Sequence, residues 1–302
     1  RSISSEPGVP IWTGRDLEGK IGDLSVDFRP QGQRMNFFPV LPKDKVCYVG
    51  QPIAVVVAPT RYEAEDALEK VRVEYEDLPV VHDVYSALSP GSPLLYPEWG
   101  DNVAVRLSVT NGDVTPVFQS APYVLKEQIK FHRSSGIPME GRGILAAYDH
   151  DKQRLNVWIS TQASFRVQEE LARILKVQRH FLHVITPDVG GGFGIKLHIY
   201  PEDVLVCWLA MTLKRAVKFI EDRREHFVSA VHAREQIHEV EIAFDGQGRI
   251  QALRDRIVAD MGAHLHTKGS APILSTARML PGPYKVPCCD IEVICVVTNK
   301  VP

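Results

Sequence analysis

Residues 187–196 read PDVGGGFGIK, a stretch with four glycines, one phenylalanine and one lysine. Glycine adopts positive φ angles and lets another group approach the main chain to contact distance. A short strand is predicted before this loop at His180–Ile185, and Pro201 fits the first turn of a helix that runs to about Leu213. Such a loop can present backbone N–H groups to an anion or an oxo group. The loop is therefore the first candidate for a binding site.

The glycine pattern does not match either of the common phosphate-binding motifs. A dinucleotide fingerprint needs GxGxxG opening directly onto a helix, with an acidic residue about 20 residues later. Here GGGFG is followed by Lys196 and several more residues before Pro201, and no GK[ST] of a P-loop is present. A nucleotide-binding enzyme that uses the loop for a pyrophosphate stays an alternative, and so does a tight turn packed against a neighbouring domain.

Composition excludes several classes of protein. The chain has 302 residues, of which 44% are hydrophobic and 24% charged, as in soluble globular proteins. A net charge of -2 gives no reason to expect nucleic acid or a membrane surface as a partner. The longest apolar run, residues 204–213, is about half the roughly 20 residues that a membrane span needs, and it predicts a buried helix.

The five cysteines indicate a reducing compartment. They form no CxxC pair and no metal-finger spacing, and an odd number suggests free thiols, so we expect a cytoplasmic protein. The chain begins with Arg1 rather than Met and stops at Pro302 without a closing element. We therefore expect it to be a part of something longer, either a segment or one subunit of a split protein.

The pattern of apolar residues predicts an α+β fold in two domains. Residues 1–86 are predicted to form a small α+β domain, in which Val46–Ala58 is strand, turn and strand. Thr60 and Glu63 form a capping box for a helix, and residues 71–75 alternate as a strand. Residues 87–118, rich in proline and glycine turns, are predicted to be a linker.

Regular structure is predicted again in residues 119–302, the larger domain. The predicted elements are strands at Tyr123–Phe131, Gly143–Tyr148, Leu155–Ile159, His180–Ile185 and Ala216–Ile220, helices at Phe165–Leu175 and Pro201–Leu213, and a hairpin of Ile237–Phe244 and Arg249–Ala259 joined at Asp245–Gly248.

Seven stretches, in this order, give the chain a resemblance to a known family. They are YVGQPIAVVVA (48–58), YEDLPVV (75–81), PMEGRG (138–143), VWISTQ (157–162), PDVGGGFGIK (187–196), YPEDVLV (200–206) and EDRREHF (221–227). The chain resembles the N-terminal and middle part of the molybdenum-binding large subunit of the xanthine dehydrogenase, aldehyde oxidase and carbon monoxide dehydrogenase family. The resemblance implies a small α/β hammerhead-like domain, then the first part of a larger mixed α+β molybdenum-cofactor-binding domain.

The resemblance also implies a function. The complete enzyme would be a molybdenum hydroxylase that oxidatively hydroxylates an aldehyde or heteroaromatic carbon, using metal-bound water. Its cofactor would be molybdenum–molybdopterin, either as the plain pterin or as a dinucleotide. No cysteine has iron–sulfur cluster spacing, so iron–sulfur clusters and FAD are expected on partner chains. A non-catalytic scaffold subunit, which has kept the fold and lost the metal site, is a further alternative.

The family's site residues are carried over to matching positions. Gln162 would point its amide at the molybdenum centre, and the Phe193 ring would lie beside the metal and exclude water, so both are expected to be catalytic. The cofactor-binding set is Gln162, Gly191, Gly192, Phe193 and Gly194. No protein ligand to the metal is expected, because the pterin holds it, and His132, His198 and His226 form no spaced metal set.

Other residues near these motifs have less specific roles. Glu140 and Arg142 are predicted to be a structural ion pair near the site, and Lys196 fits a solvated loop lysine. Leu197 and Ser275 stand where purine-hydroxylating members of the family carry a glutamate and an arginine, which disfavours a purine substrate.

The resemblance also implies partners. The family's second loop with an arginine, and its glutamate base, would lie beyond Pro302. We therefore expect a chain or segment that completes the molybdenum domain, an iron–sulfur subunit, a flavin subunit and a small-molecule substrate, but no nucleic acid and no membrane span.

Overall fold

The structure is a computed structural model that describes residues 2–6, 10–35, 37–233 and 235–302. The helices are α1 (Gly14–Leu17), α2 (Arg61–Leu68), α3 (Val84–Leu88), α4 (Thr115–Ser120), α5 (Ser164–Leu175), α6 (Pro201–Leu213), α7 (Arg223–Ser229) and α8 (Ala271–Met279). The strands are β1 (Ser2–Ser5), β2 (Ile11–Thr13), β3 (Leu24–Ser25), β4 (Phe37–Phe38), β5 (Ala54–Val56), β6 (Val71–Glu74), β7 (Val103–Asn111), β8 (Tyr123–Phe131), β9 (Ser134–Ser135), β10 (Gly143–Asp149), β11 (Arg154–Ile159), β12 (Leu182–Ile185), β13 (Val217–Ile220), β14 (His232–Ala233), β15 (Gln236–Phe244), β16 (Ile250–Asp260) and β17 (Cys288–Val296).

A four-stranded sheet with the order β12–β11–β10–β13 positions the candidate site. β10 is antiparallel to both β11 and β13, whereas β11 and β12 are parallel. Because of these directions, the segments that follow β11, β12 and β13 lie at the same end of the sheet as the segment that precedes β10. Four separate stretches of sequence therefore meet at that end.

Two predicted helices cover this sheet. α5 buries Val167, Leu171 and Ile174, which recur at helical spacing on one face. α6 begins with Pro201 at its first turn and is buried along most of its length. Both helices confirm the sequence prediction, and neither they nor any other helix of the described ranges has the length and apolarity needed to cross a membrane.

A second sheet has five strands in the order β7–β17–β16–β15–β8. β16 and β17 are parallel, and the other neighbours are antiparallel. The β15–β16 pair is the predicted hairpin, and the turn between its strands is closed by Gly248 N–H donating to Asp245 O (3.1 Å). Together with the helices, the two sheets make the α+β class predicted from the sequence.

The N-terminal part contains three two-stranded sheets, β1–β6, β2–β5 and β3–β4. Its predicted capping box is present. Glu63 N–H donates to Oγ1 of Thr60 (3.2 Å), and Thr60 N–H donates to the Glu63 carboxylate (2.9 Å). Helix α2 therefore begins where the sequence predicts.

The prediction of two strands in Val46–Ala58 was wrong for the first strand. Only β5 forms, while the preceding segment is a turn. Cys47 N–H donates to Oε1 of Gln51 (2.7 Å), and Gln51 N–H donates to Tyr48 O (3.3 Å). The Gln51 side chain thus accepts from the backbone N–H of Cys47, which in a strand would donate to a neighbouring strand. Gly50, with φ +95°, lies against the Val228 backbone.

Residues 87–118, predicted to be a linker, have more regular structure than expected. They contain β7, a nine-residue strand at one edge of the five-stranded sheet, and α4. The preceding turn is ordered by Asn102, whose buried side chain accepts from Leu95 N–H (3.1 Å) and donates to Pro93 O (2.9 Å). The proline and glycine signals therefore mark the ends of ordered elements here.

A cluster of aromatic and histidine rings joins the N-terminal part to the rest. Phe38 stacks on His264 with ring centroids 4.2 Å apart, and His266 lies 5.5 Å from His264 and 4.9 Å from His198. Burial lowers the pKa of His264 to about 3. Burial, and to a lesser extent the charge of nearby cations, lowers the pKa of His198 to about 3 as well. These rings are therefore neutral in the folded protein.

We expect His264→Phe to make the fold less sensitive to acid. The folded pKa of His264 lies below its unfolded value of about 6.5, so its stabilising contribution is complete above that pH and is lost as the pH falls toward 3. Between about pH 6.5 and 4, the free energy of unfolding of the wild type should fall by up to about 3 kcal/mol more than that of the variant. Urea unfolding at each pH measures this, and equal pH slopes would contradict it.

Candidate functional site

The glycine loop lies at the end of the four-stranded sheet where the four segments meet. It follows β12 and closes into a tight turn, in which Ile195 N–H donates to Gly192 O (3.0 Å) and Leu197 N–H donates to Gly194 O (3.2 Å). A short 3₁₀ turn, Ile195–Leu197, ends the loop. The loop therefore has a defined conformation of its own.

Three consecutive glycines each leave room for a particular side chain. A Cβ on Gly190 would lie 2.6 Å from Cβ of Glu140, and one on Gly192 would lie 2.4 Å from Cδ of Gln162. A Cβ on Gly191 would lie 3.1 Å from Cβ of Pro138. All three distances are shorter than ordinary carbon contacts, and the first two would be severe clashes. Neighbouring protein groups therefore occupy the space that a side chain would need at these positions.

The Gln162 amide is held in one orientation by the loop. Gly194 N–H points at the end of the side chain, 3.1 Å from Oε1. Because a backbone N–H can only donate, the facing atom must be the amide oxygen, and this settles which way the amide points. In the described part of the chain, Nε2 has no hydrogen-bond partner, and the residue is exposed. The NH₂ group is therefore available to an acceptor outside this chain.

The main chain of Gln162 is also fixed. Its N–H donates to Lys196 O (2.9 Å), and the hydroxyl of Thr161 donates to the same oxygen (2.9 Å). These bonds join the end of β11 to the end of the glycine loop. The two motifs that the sequence analysis singled out thus form one unit.

Phe193 presents its ring outward. The side chain is 73% exposed, so the ring is not part of the core. Its φ of +49° lies in the left-handed region, which costs a non-glycine residue about 1–2 kcal/mol. Gly194 beside it has φ +89°, and nothing lies within 4 Å of where its Cβ would be. Phe193 and Gly194 together therefore line an open face of the loop.

Glu140 pairs with Lys196, and this corrects two predictions. Its Oε2 accepts from the Lys196 ammonium (2.6 Å), the Ser160 hydroxyl (2.6 Å) and Gly190 N–H (2.8 Å). Burial raises the pKa of Glu140, but these hydrogen bonds outweigh it and the net pKa lies below the usual value. Glu140 is therefore not the partner of Arg142, and Lys196, with no exposed side-chain area, is not a solvated lysine.

Arg142 makes its ion pairs elsewhere. Its guanidinium contacts Glu221 and Glu202, and its Cζ lies 3.6 Å from the centre of the Tyr200 ring. Burial opposes the charge on Arg142, but the two carboxylates and Tyr200 outweigh it and raise its pKa. These ion pairs are structural, as predicted for Arg142. Because Glu202 belongs to YPEDVLV and Glu221 to EDRREHF, Arg142 joins these two motifs.

The segment before Glu140 is anchored by the EDRREHF motif. His226 contacts the Glu221 carboxylate through Nδ1 (2.9 Å) and Gly136 O through Nε2 (2.8 Å). Arg223 donates to Pro138 O (2.8 Å). The PMEGRG, STQ, GGGFG and EDRREHF stretches, far apart in sequence, therefore build one connected site.

The described residues contain no group of three or more histidine, cysteine or acidic side chains that could hold a metal ion. His198 belongs to the ring cluster of the fold, and His226 is occupied by Glu221 and Gly136. That no protein side chain ligates the metal stays a prediction. The sequence analysis assigned no role to Pro138 and Ser160 and gave Glu140 the wrong partner, although PMEGRG was among the stretches that it identified.

Two family models match the chain. Residues 95–302 match the molybdopterin cofactor-binding domain, which is more than half of the sequence. Residues 13–79 match the a/b hammerhead domain of aldehyde oxidase and xanthine dehydrogenase. The chain belongs to the aldehyde oxidase and xanthine dehydrogenase family. The resemblance found in the sequence is thereby confirmed, and the two matched ranges follow the predicted order of the domains.

Individual members of the family are similar over all or most of this chain. The large subunit of nicotine 6-hydroxylase from Paenarthrobacter nicotinovorans is 37% identical over 305 residues, which covers 100% of this chain and 37% of the relative. The carbon monoxide dehydrogenase large chain of Hydrogenophaga pseudoflava is 32% identical, over 87% of this chain and 34% of the relative. The chain thus spans little more than a third of the length of these relatives.

A solved structure has the same fold. The crystal structure of quinoline 2-oxidoreductase from Pseudomonas putida 86 matches with a TM-score of 0.94 and 37% identity, covering 100% of this chain and 39% of that one. The arrangement of the site described above is therefore built on a fold shared with an experimentally determined family member.

We predict that Gly192→Ala displaces the Gln162 amide. The added Cβ would clash with Cγ, Cδ and Oε1 of that side chain, which is free to swing away, whereas the backbone can stay in place. The free energy of unfolding should change by only about 1 kcal/mol, the worth of the lost hydrogen bond. A crystal structure of the variant would show Gln162 turned away from Gly194.

Gly246→Ala is the matched control, because nothing lies within 4 Å of its Cβ position. In a Gln162→Ala background, Gly192→Ala should cost nothing further, since the clashing atoms are gone. A variant structure that keeps the bond between Gly194 and Gln162 would contradict the steric explanation.

Proposed function

We propose that this chain forms one wall of the site for a molybdenum–molybdopterin cofactor, in an enzyme that oxidatively hydroxylates an aldehyde or heteroaromatic carbon. The observation that carries the proposal is the Gln162 amide, which is oriented by Gly194 and presents an exposed NH₂ group that has no partner among the described residues. A donor held in this way suits an oxo ligand, because it can donate without adding charge.

The residues present fit such a group. The Cβ direction of Gly194 is open, and the Phe193 ring is exposed beside it, so the loop offers a free face next to the amide. The cofactor, when bound, would supply the redox chemistry that transfers an oxygen atom from water to the substrate and removes two electrons. This chain would contribute by positioning the cofactor and by directing the dipole of the Gln162 amide at it.

The cofactor-binding residues divide into two kinds on this proposal. Phe193 and Gly194 line the open face and contact the cofactor, and the Phe193 ring excludes water from one side. Gly191 and Gly192 act by admitting Pro138 and Gln162, so their lack of a side chain serves the site indirectly.

Electrons would leave through partner subunits. All five cysteines are free thiols, four of them buried, and their spacing is not that of an iron–sulfur cluster. Iron–sulfur clusters and FAD would therefore belong to partner chains, in a cytoplasmic hetero-oligomer. A further chain or segment would complete the molybdenum domain, because this chain spans only about a third of its relatives.

The substrate class is best matched by an N-heteroaromatic ring. Of the relatives named above, the two that are 37% identical to this chain act, by their names, on nicotine and quinoline, whereas the third, at 32% identity, is named for carbon monoxide. Leu197 places an apolar, half-buried side chain directly after Lys196, where a purine would be expected to meet a carboxylate. Ser275 is exposed and donates to Ala271 O within its own helix (3.0 Å). An aldehyde remains the second candidate class.

The contacts of the loop disfavour pyrophosphate binding. Gly190 N–H and Gly194 N–H are already taken by Glu140 and Gln162. A carboxylate under the loop would also repel a pyrophosphate. Two of the backbone donors that such a ligand would use are therefore already occupied.

Elemental analysis of the complete purified protein tests the proposal against its alternatives. A stoichiometric amount of molybdenum, with a pterin released on denaturation, is the expected result. Bound nucleotide without molybdenum would support the nucleotide-binding alternative, and neither of the two would support a scaffold subunit.

For the complete enzyme, we expect Gln162→Ala to lower kcat by about 10–100-fold, the usual effect of losing a group that orients a metal centre. The variant should still fold, because the side chain is exposed, and thermal melting should show a loss of only about 1 kcal/mol, from the hydrogen bond of Gly194 N–H. Gln128→Ala, on the exposed strand β8, is the control for glutamine removal. Unchanged turnover in Gln162→Ala would remove this residue from the site.

A further inference from the structure

The carboxylate of Glu140 gathers three separate segments of the chain. A single oxygen, Oε2, accepts from Ser160 at the end of β11, from Gly190 at the start of the glycine loop and from Lys196 at its end. Glu140 N–H also donates to Gly190 O (3.2 Å). Both ends of the loop are therefore tied to one side chain.

Lys196 makes this connection strong. Its side chain has no exposed area, and within the described residues its ammonium donates only to Glu140. A buried ammonium is costly unless a counter-charge lies at hydrogen-bond distance, so the two charges hold each other in place. The backbone oxygen of the same lysine accepts from Gln162 N–H and from Thr161. Movement of Lys196 would therefore move Gln162.

We propose that Glu140 is a positioning residue that acts through Lys196 and the glycine loop on the Gln162 amide. With both ends of the loop fixed, Gly194 N–H stays directed at Oε1 of Gln162, and the NH₂ group keeps its outward orientation. The consequence for turnover rests on the proposed function. The consequence for the order of the loop does not.

Loss of a purely structural ion pair would have a different effect from loss of a positioning residue. The Arg142–Glu221 pair is buried between motifs and makes no contact with the loop ends, so its loss would lower the melting temperature without regard to Gln162. A positioning residue, in contrast, has an effect on turnover that depends on whether the Gln162 amide is present.

The first experiment measures the loop directly. In Glu140→Gln, hydrogen–deuterium exchange of the peptide that spans residues 188–197 should be at least about tenfold faster than in the wild type. The control is Glu241→Gln, which removes another ion-paired carboxylate, bound to Lys126 and Arg254 on the five-stranded sheet. Unchanged exchange of this peptide in Glu140→Gln would overturn the proposal, whether or not the protein binds molybdenum.

The second experiment is a double-mutant cycle in the complete enzyme, with kcat normalised to molybdenum content. Glu140→Gln alone should lower kcat at least about tenfold, with KM within about twofold of the wild-type value. In a Gln162→Ala background, the same substitution should change kcat by less than about twofold. Independent, multiplicative losses would show that Glu140 does not act through Gln162 and would overturn the proposal.

Glu140→Gln leaves the Lys196 charge buried without a counter-charge and can prevent folding. The double variant Glu140→Gln with Lys196→Met removes both charges at similar volume, so it should fold. The expected result is a melting temperature near that of the wild type, together with faster exchange of residues 188–197 and the same loss of kcat. A double variant with wild-type exchange and turnover would contradict a positioning role.

Discussion

The hydrogen bond from Gly194 N–H to Oε1 of Gln162 fixes the side chain on which the site depends. An exposed glutamine has several rotamers and two amide orientations, and each one would point its NH₂ group differently. The bond selects one of them. It can form only because Gly192 has no side chain, since the space that a Cβ would need is filled by the glutamine itself.

The sheet topology makes this contact between distant residues possible. The segments after β11 and β12 meet because these strands are parallel neighbours, and the segment before β10 joins them because β10 is antiparallel to β11. Gln162, Glu140 and the glycine loop thus come from three different parts of the sequence. The Glu140–Lys196 pair then fastens the loop to the sheet. A rigid sheet with a tied loop is a suitable base for a precise donor.

The sequence allowed about half of the regular elements to be predicted, because the apolar residues of these elements recur with a helical or strand period. Helix α2 and the β15–β16 hairpin are examples. Strand β7 was missed because the proline and glycine residues around it suggest a loop, while its order comes from pairing with β17, almost 200 residues later in the chain. The alternation of Val105, Leu107 and Val109 with polar residues is a local strand signal, but the turn residues on either side obscured it.

The site shows a similar limit. The glycines correctly indicated that side chains are forbidden in the loop, and the expected reason was a bulky cofactor. For Gly190, Gly191 and Gly192, however, the nearest groups are Glu140, Pro138 and Gln162. Lys196 was interpreted as a solvated residue because its partner, Glu140, lies 56 positions away in the sequence. Without that contact, nothing indicates that the lysine charge can be buried. A run of glycines thus indicates that another group lies close to the main chain, but it does not indicate whether that group is a cofactor or a protein side chain.

The central claim is that the oriented NH₂ group of Gln162 faces the molybdenum centre across the open side of the loop. Anomalous diffraction at the molybdenum absorption edge, from crystals of the complete protein, tests it most directly. We predict a single strong peak beside Nε2 of Gln162, on the side of Gly194 and the Phe193 ring, with the Gly194–Gln162 bond intact. A molybdenum peak away from this amide, or an amide turned away from a metal that is present, would contradict the account.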